Sequence, residues 1–132
     1  MNYENPRLIS NISNIISKSM KWFKVFDTEV LQQHDFIKAI SINGKKLCVV
    51  KSGNQVVFTQ AYCPHAGAGL SGGWCKNGKL ICPFHRYEYD LKTGRGAVGQ
   101  GDYIDIYPSE LRSDGIYVGL PESFNLFKYL FE

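Results

Sequence analysis

Two short stretches decide how this chain is to be read: Cys63-Pro64-His65-Ala66-Gly67-Ala68-Gly69-Leu70 and Cys82-Pro83-Phe84-His85-Arg86-Tyr87-Glu88-Tyr89-Asp90. Cys63 and His65 lie two apart, Cys82 and His85 three apart, and sixteen residues separate the pairs. Each half offers one thiolate and one imidazole, so a shared site forms only if the intervening chain folds back. Gly72, Gly73 and Asn77-Gly78 supply turns for that. A single zinc ion could use two Cys and two His. Structural zinc sites, however, more usually take both thiolates from one short knuckle and both imidazoles from another, and here each segment mixes the types.

Outward from the motif the chain reads as short strands. Trp22 to Phe26 is a first strand, and Phe36 to Ile42 followed by Asn43-Gly44 and Lys46 to Val50 is a hairpin with the favoured two-residue turn. Ser52-Gly53-Asn54 turns the chain into Gln55 to Ala61, which leads into the first pair. Trp74-Cys75-Lys76, Asn77-Gly78 and Lys79-Leu80-Ile81 make another hairpin ending at Cys82, and Glu88 to Leu91 is a short strand closed by Thr93-Gly94. Both pairs are thus expected to hang from hairpin tips of one small sheet. Tyr103 to Tyr107 and Ile116 to Val118, joined through Ser113-Asp114-Gly115, return to the main sheet. The class is all-β.

Composition bounds the rest. At 132 residues and 44% hydrophobic, the chain supports one domain with a real core. The net charge of +3 is mild and the basic residues are scattered, which argues against nucleic-acid binding. No secretory signal is legible, no run approaches about 18 apolar residues, and no membrane span is expected. The expected compartment is the cytoplasm, where Cys48 and Cys75 are free thiols rather than a disulfide. Leu8, Ile12, Ile15 and Ile16 fall near helical spacing, and the end from Pro121, with Phe124, Phe127 and Phe131, is too apolar for a solvated tail.

Two further signals are set aside. Gly94-x-Gly96-x-x-Gly99 matches a dinucleotide fingerprint letter for letter, but strand-like Tyr103 to Tyr107 follows where a helix should begin. His34 is the one histidine outside the pairs, so a further iron site of the two-His-one-carboxylate type is not available.

A centre with two thiolates on one iron and two imidazoles on the other needs the mixed loops found here, and with them the chain resembles the Rieske 2Fe-2S family. Its motif, C-x-H, a spacer, then C-x-x-H, is met by Cys63, His65, Cys82 and His85, and the likeness runs from about Trp22 to about Val118. The resemblance implies one 2Fe-2S cluster, with Cys63 and Cys82 on the buried iron and His65 and His85 on the outer one. It implies an antiparallel barrel or sandwich with a small inserted cluster-binding subdomain. The expected division is an N-terminal extension over 1–20, a Rieske domain over 21–120 whose cluster-binding subdomain covers about 62–96, and an apolar C-terminal tail over 121–132.

In function the chain resembles a soluble Rieske-type ferredoxin. Such a protein is not itself an enzyme: it carries one electron from a reductase to an oxygenase or another redox enzyme, docking transiently at the His65 and His85 edge. A small redox subunit permanently bound to a larger enzyme is the first alternative and a zinc-stabilised binding module the second. Around the ligands, Pro64, Ala66, Gly67 and Phe84 are expected to form an apolar rim. Ala68 and Phe84 stand where the high-potential branch has a disulfide, and Tyr87 where it has a serine, which implies a potential in the lower half of the family span. Tyr89 matches the family tyrosine that can donate to a ligand sulfur, so its replacement by Phe is expected to lower the potential. Residues 94–99 correspond to a third, cluster-shielding loop, here with Ala97-Val98-Gly99 and no proline.

Overall fold

A computed structural model describes residues 20–122. The readings made for the amphipathic stretch around Leu8 to Ile16 and for the Phe-rich tail lie outside those residues. The described chain is ten antiparallel strands and two single 3-10 turns, in the order β1 (Met20–Phe26), a turn at Thr28–Gln32, β2 (Phe36–Ile42), β3 (Lys45–Ser52), β4 (Gln55–Gln60), a turn at Leu70–Gly72, β5 (Trp74–Lys76), β6 (Lys79–Ile81), β7 (Glu88–Asp90), β8 (Ile106–Tyr107), β9 (Ser109–Arg112) and β10 (Gly115–Pro121). They form three sheets, ordered β1-β10-β9, β2-β3-β4-β8 and β5-β6-β7.

Local chemistry sets the hairpins. Asn43-Gly44 and Asn77-Gly78 both take positive φ at the two turn positions, the backbone a two-residue connection needs to match strand twist. They join β2 to β3 and β5 to β6 in continuous register.

The apolar run Leu47-Cys48-Val49-Val50 explains the layering. All four side chains are buried, so β3 is covered on both faces. Its alternation sends Leu47 and Val49 into one core, with Val56, Phe58 and Tyr107 of the same sheet and Ile116, Val118 and Leu120 of β10. Cys48 and Val50 enter a second core with Cys63, Leu70, Leu80, Cys82, Tyr89, Leu91 and Ile104. One strand is therefore shared between the base and the unit that carries both Cys/His pairs.

Three expectations are refined. The strands do not close into a barrel; the four-stranded and the β1-β10-β9 sheets face one another as a sandwich. Pro108, without an N–H to extend the ladder, follows the two-residue strand β8, and there the chain leaves one sheet for the other. Nor do both ligand pairs hang from one small sheet. The second sits on the connection from β6 to β7, but the first follows β4 of the base sheet and is closed by a bridge between Tyr62 and Gly69. The expected strand from Tyr103 is also shorter, since Tyr103 bridges Arg95 instead of joining β8. The hairpin partner β9 was not anticipated.

Candidate metal centre

Both Cys/His loops close in the same way. The Cys63 N–H donates to the Ala68 carbonyl at 2.7 Å, and the Cys82 N–H donates to the Tyr87 carbonyl at 2.8 Å, each spanning five residues. The residue four after each cysteine is left-handed: Gly67 has φ 70° and Arg86 has φ 56°. His85 also has a positive φ, 60°, so the second loop holds two adjacent non-glycine residues in a conformation costing about 1–2 kcal/mol each. Unfavourable backbone of this kind marks a segment held by its surroundings for a purpose.

The loops bring the four residues together as two pairs. Cys63 and Cys82 are buried together in the second core, and each thiol perturbs the other. His65 and His85 are exposed, with ring centroids 5.3 Å apart and planes at 77°. Among the described residues no group of three His, Cys, Asp or Glu side chains converges on one point; the donors gather in twos, sulfur inside and nitrogen outside.

Electrostatics favour anionic sulfur at Cys63 and oppose it at Cys82. Burial alone would raise the Cys63 thiol, but the hydrogen-bonding groups around it, the backbone N–H groups of His65 and Ala66 among them, outweigh it and hold the thiol below its ordinary value. Cys82 is pushed up, first by burial, with the Phe84 N–H working against that and the adjacent Cys63 adding to it. Two thiols side by side in a dry core resist losing both protons unless a cation takes their place.

The neighbours expected from sequence fall into distinct places. Tyr87 stacks on His65, with centroids 4.0 Å apart and planes at 14°, tying one loop to the other. Phe84 lies edge-on to His85 at 6.4 Å and is 56% exposed. Pro64, Ala66 and Gly67 are exposed beside it, whereas Ala68 packs against the second core. Tyr89 is wholly buried, its hydroxyl 3.3 Å from the Cys63 sulfur and 2.9 Å from Asp102 Oδ2. Burial, then these two neighbours, push its pKa well above the usual phenol range, so the hydroxyl keeps its proton.

Asp102 and its neighbour Gln100 were not singled out from sequence. Gln100 clamps the third loop to β7: its Oε1 accepts the Glu88 N–H at 2.8 Å, while its Nε2 donates to the Glu88 carbonyl and to Asp102 Oδ1, both at 3.1 Å. No motif or periodicity announces this pair, because both lie in irregular chain. The glycine fingerprint, by contrast, was visible and its real role is now plain. A Cβ on Gly94 would collide with the Ile104 carbonyl, and one on Gly96 with the Gln100 amide and the Asp102 carboxylate. These glycines admit close packing of the third loop. At its tip, the Val98 side chain is entirely in solvent.

The model of the Rieske [2Fe-2S] domain matches residues 21–105, which include both loops. The chain belongs to the Rieske family. A cholesterol 7-desaturase from Ciona intestinalis is 35% identical over 71 residues, 52% of this chain and 15% of that protein; the chain thus spans about a seventh of that relative. The ferredoxin component of a naphthalene 1,2-dioxygenase system from Pseudomonas aeruginosa is 23% identical over 101 residues, 76% of this chain and 96% of that one. Among solved structures, a chain in the complex of reduced oxygenase and oxidized ferredoxin in carbazole 1,9a-dioxygenase superposes with a TM-score of 0.63. It is 27% identical over 74% of this chain and 91% of its own. The Rieske family carries a 2Fe-2S cluster, and the donor set found here fits that group in number and type. No helix among the described residues is long and apolar enough to cross a membrane.

Proposed function

We propose that this Rieske chain is a one-electron carrier, a ferredoxin that takes an electron from a reductase and delivers it to an oxygenase or another redox enzyme. Cys63 and Cys82 hold one iron and His65 and His85 the other. The observation that carries the assignment is the sorting of the four donors into a buried sulfur pair and an exposed imidazole pair. One ion taking all four would need them around a single point. The near full-length likeness to a dioxygenase-system ferredoxin component supports the carrier role.

When bound, the cluster supplies one reversible electron. The chain's own residues supply the rest: backbone N–H groups face the sulfurs, Tyr87 fixes the plane of His65, and Pro64 with Phe84 makes an apolar rim at the imidazole edge. That rim suits a small, transient contact. The domain boundaries we assign are 21–120 for the Rieske domain and about 62–96 for its cluster-binding part, with 1–20 and 121–132 as appendages. We place the protein in the cytoplasm, in keeping with the free thiols of Cys48 and Cys75.

The test is a visible spectrum with metal analysis on the purified chain. Two irons per chain and a reddish-brown colour that bleaches on reduction are expected, and both should vanish in Cys63→Ala and in His85→Ala. A colourless zinc protein, or a His85→Ala variant with the native spectrum and two irons, overturns the assignment.

A further inference from the structure

Tyr89 has one hydroxyl proton and two acceptors. Asp102 Oδ2 lies at 2.9 Å and the Cys63 sulfur at 3.3 Å. The carboxylate accepts on both oxygens, from Gln100 Nε2 and from Tyr89. A carboxylate oxygen is also the stronger acceptor, and hydrogen bonds to ionised groups are about twice as strong as neutral ones. The proton therefore points at Asp102, and the phenol oxygen turns its lone pairs to the sulfur. In the thiol form this suits Cys63, which can donate to that oxygen. As a metal ligand Cys63 has no proton to give, so the contact then lacks a hydrogen.

We propose that Asp102, positioned by Gln100, draws the Tyr89 proton away from the Cys63 sulfur and thereby keeps the reduction potential of the cluster low. The inference rests on the cluster assignment above. A hydrogen bond to a ligand sulfur stabilises the more negative, reduced form; its withdrawal does the reverse, and the Asp102 charge acts in the same sense. Asp102 acts on the sulfur through Tyr89, so it is a positioning residue.

The geometry prescribes an isosteric test. Gln100 cannot flip, because its Oε1 is committed to the Glu88 N–H and its Nε2 to the Glu88 carbonyl. In Asp102→Asn the new amide must then turn its oxygen to Gln100 and its NH2 to Tyr89. The phenol oxygen becomes an acceptor, and the Cys63 sulfur is the acceptor left for its proton.

The experiment compares the cluster-loaded full chain with Asp102→Asn, Tyr89→Phe and the double variant, reading the midpoint potential by protein-film voltammetry and the Fe–S stretching bands by resonance Raman in H2O and D2O. Asp102→Asn should raise the potential. Contrary to what the family resemblance alone implies, Tyr89→Phe should leave it unmoved in the wild type, and should lower it in the Asp102→Asn background, where a deuterium-sensitive Fe–S shift appears and is lost again in the double variant. Equal effects of Tyr89→Phe in the two backgrounds overturn the proposal, since the charge of Asp102 alone would act additively. Should Asp102→Asn not load, wild type against Tyr89→Phe decides: a deuterium shift in the wild type that requires Tyr89 overturns it, and none supports it. Iron is counted first. A wild type without two irons fails the cluster assignment instead, which separates the two failures.

Discussion

Gly67 and Arg86 occupy equivalent places in the two ligand loops, yet only one of them is the residue that φ near +60° favours. Nothing lies within 4 Å of a Cβ built on Gly67, so Gly67→Ala reports the backbone cost alone, about 1–2 kcal/mol of lost stability. Arg86→Gly should move the other way by about 1 kcal/mol, the relief of strain exceeding the added freedom of the unfolded glycine. Urea unfolding of both variants checks this, and changes of the same sign would refute it. Cys48 makes a separate prediction. It is fully buried, and burial raises its thiol from 9.0 to about 11. Folding favours the neutral thiol, so its contribution is whole below pH 9 and is lost as pH rises toward 11. Unfolding midpoints of wild type and Cys48→Ala should converge over that window. Cys48→Ser should keep the cluster, because Cys48 shares the second core with Cys63 and Cys82 but is not one of the four donors assigned to the cluster.

The third loop, Gly94 to Asp102, stands on its glycines and on one turn. Asp90 launches it, accepting the N–H groups of Lys92 and Thr93 at 2.7 and 3.1 Å; these bonds hold its carboxyl below the usual value of 3.8. The sign follows directly: the turn is supported at pH well above 3.8 and loosens as pH falls through the lower folded value. Gly94→Ala pushes a methyl group into the Ile104 carbonyl and should unseat the loop without touching a ligand. The expected result is a cluster that still assembles but loses iron to a chelator several-fold faster. An unchanged rate would show that the loop does not protect the centre.

Across the described residues, β3 contributes to both cores, and the base and the unit carrying the two Cys/His loops are expected to unfold as one cooperative structure. Leu47 and Val49 face the sandwich core and Cys48 and Val50 the other, so the cluster-binding part has no complete core of its own. Leu47→Ala, remote from every ligand, should cost about 2–5 kcal/mol and lower the melting of both parts together. Thermal scans followed at once by far-UV circular dichroism and by the visible cluster band test it. Coincident transitions are expected, and a cluster band that outlasts the sheet signal would mean the two parts are independent.

Read alone, the sequence determined the all-β class and the hairpin turns at Asn43-Gly44 and Asn77-Gly78, and it nominated Cys63, His65, Cys82 and His85 as donors, because each is a local property: a turn type demands particular residues, and a metal site demands particular donors at short spacing. It also showed the glycines at 94, 96 and 99 without their purpose, since what they approach lies several residues away along irregular chain. Only the tertiary structure decided that the two loops leave different sheets, that the sandwich does not close into a barrel, and that Tyr87 stacks across the loops on His65. The same holds for the Gln100, Asp102 and Tyr89 relay. The direction of a hydroxyl proton depends on every acceptor within about 3 Å of it, and proximity of that kind is made by packing, not by order along the chain.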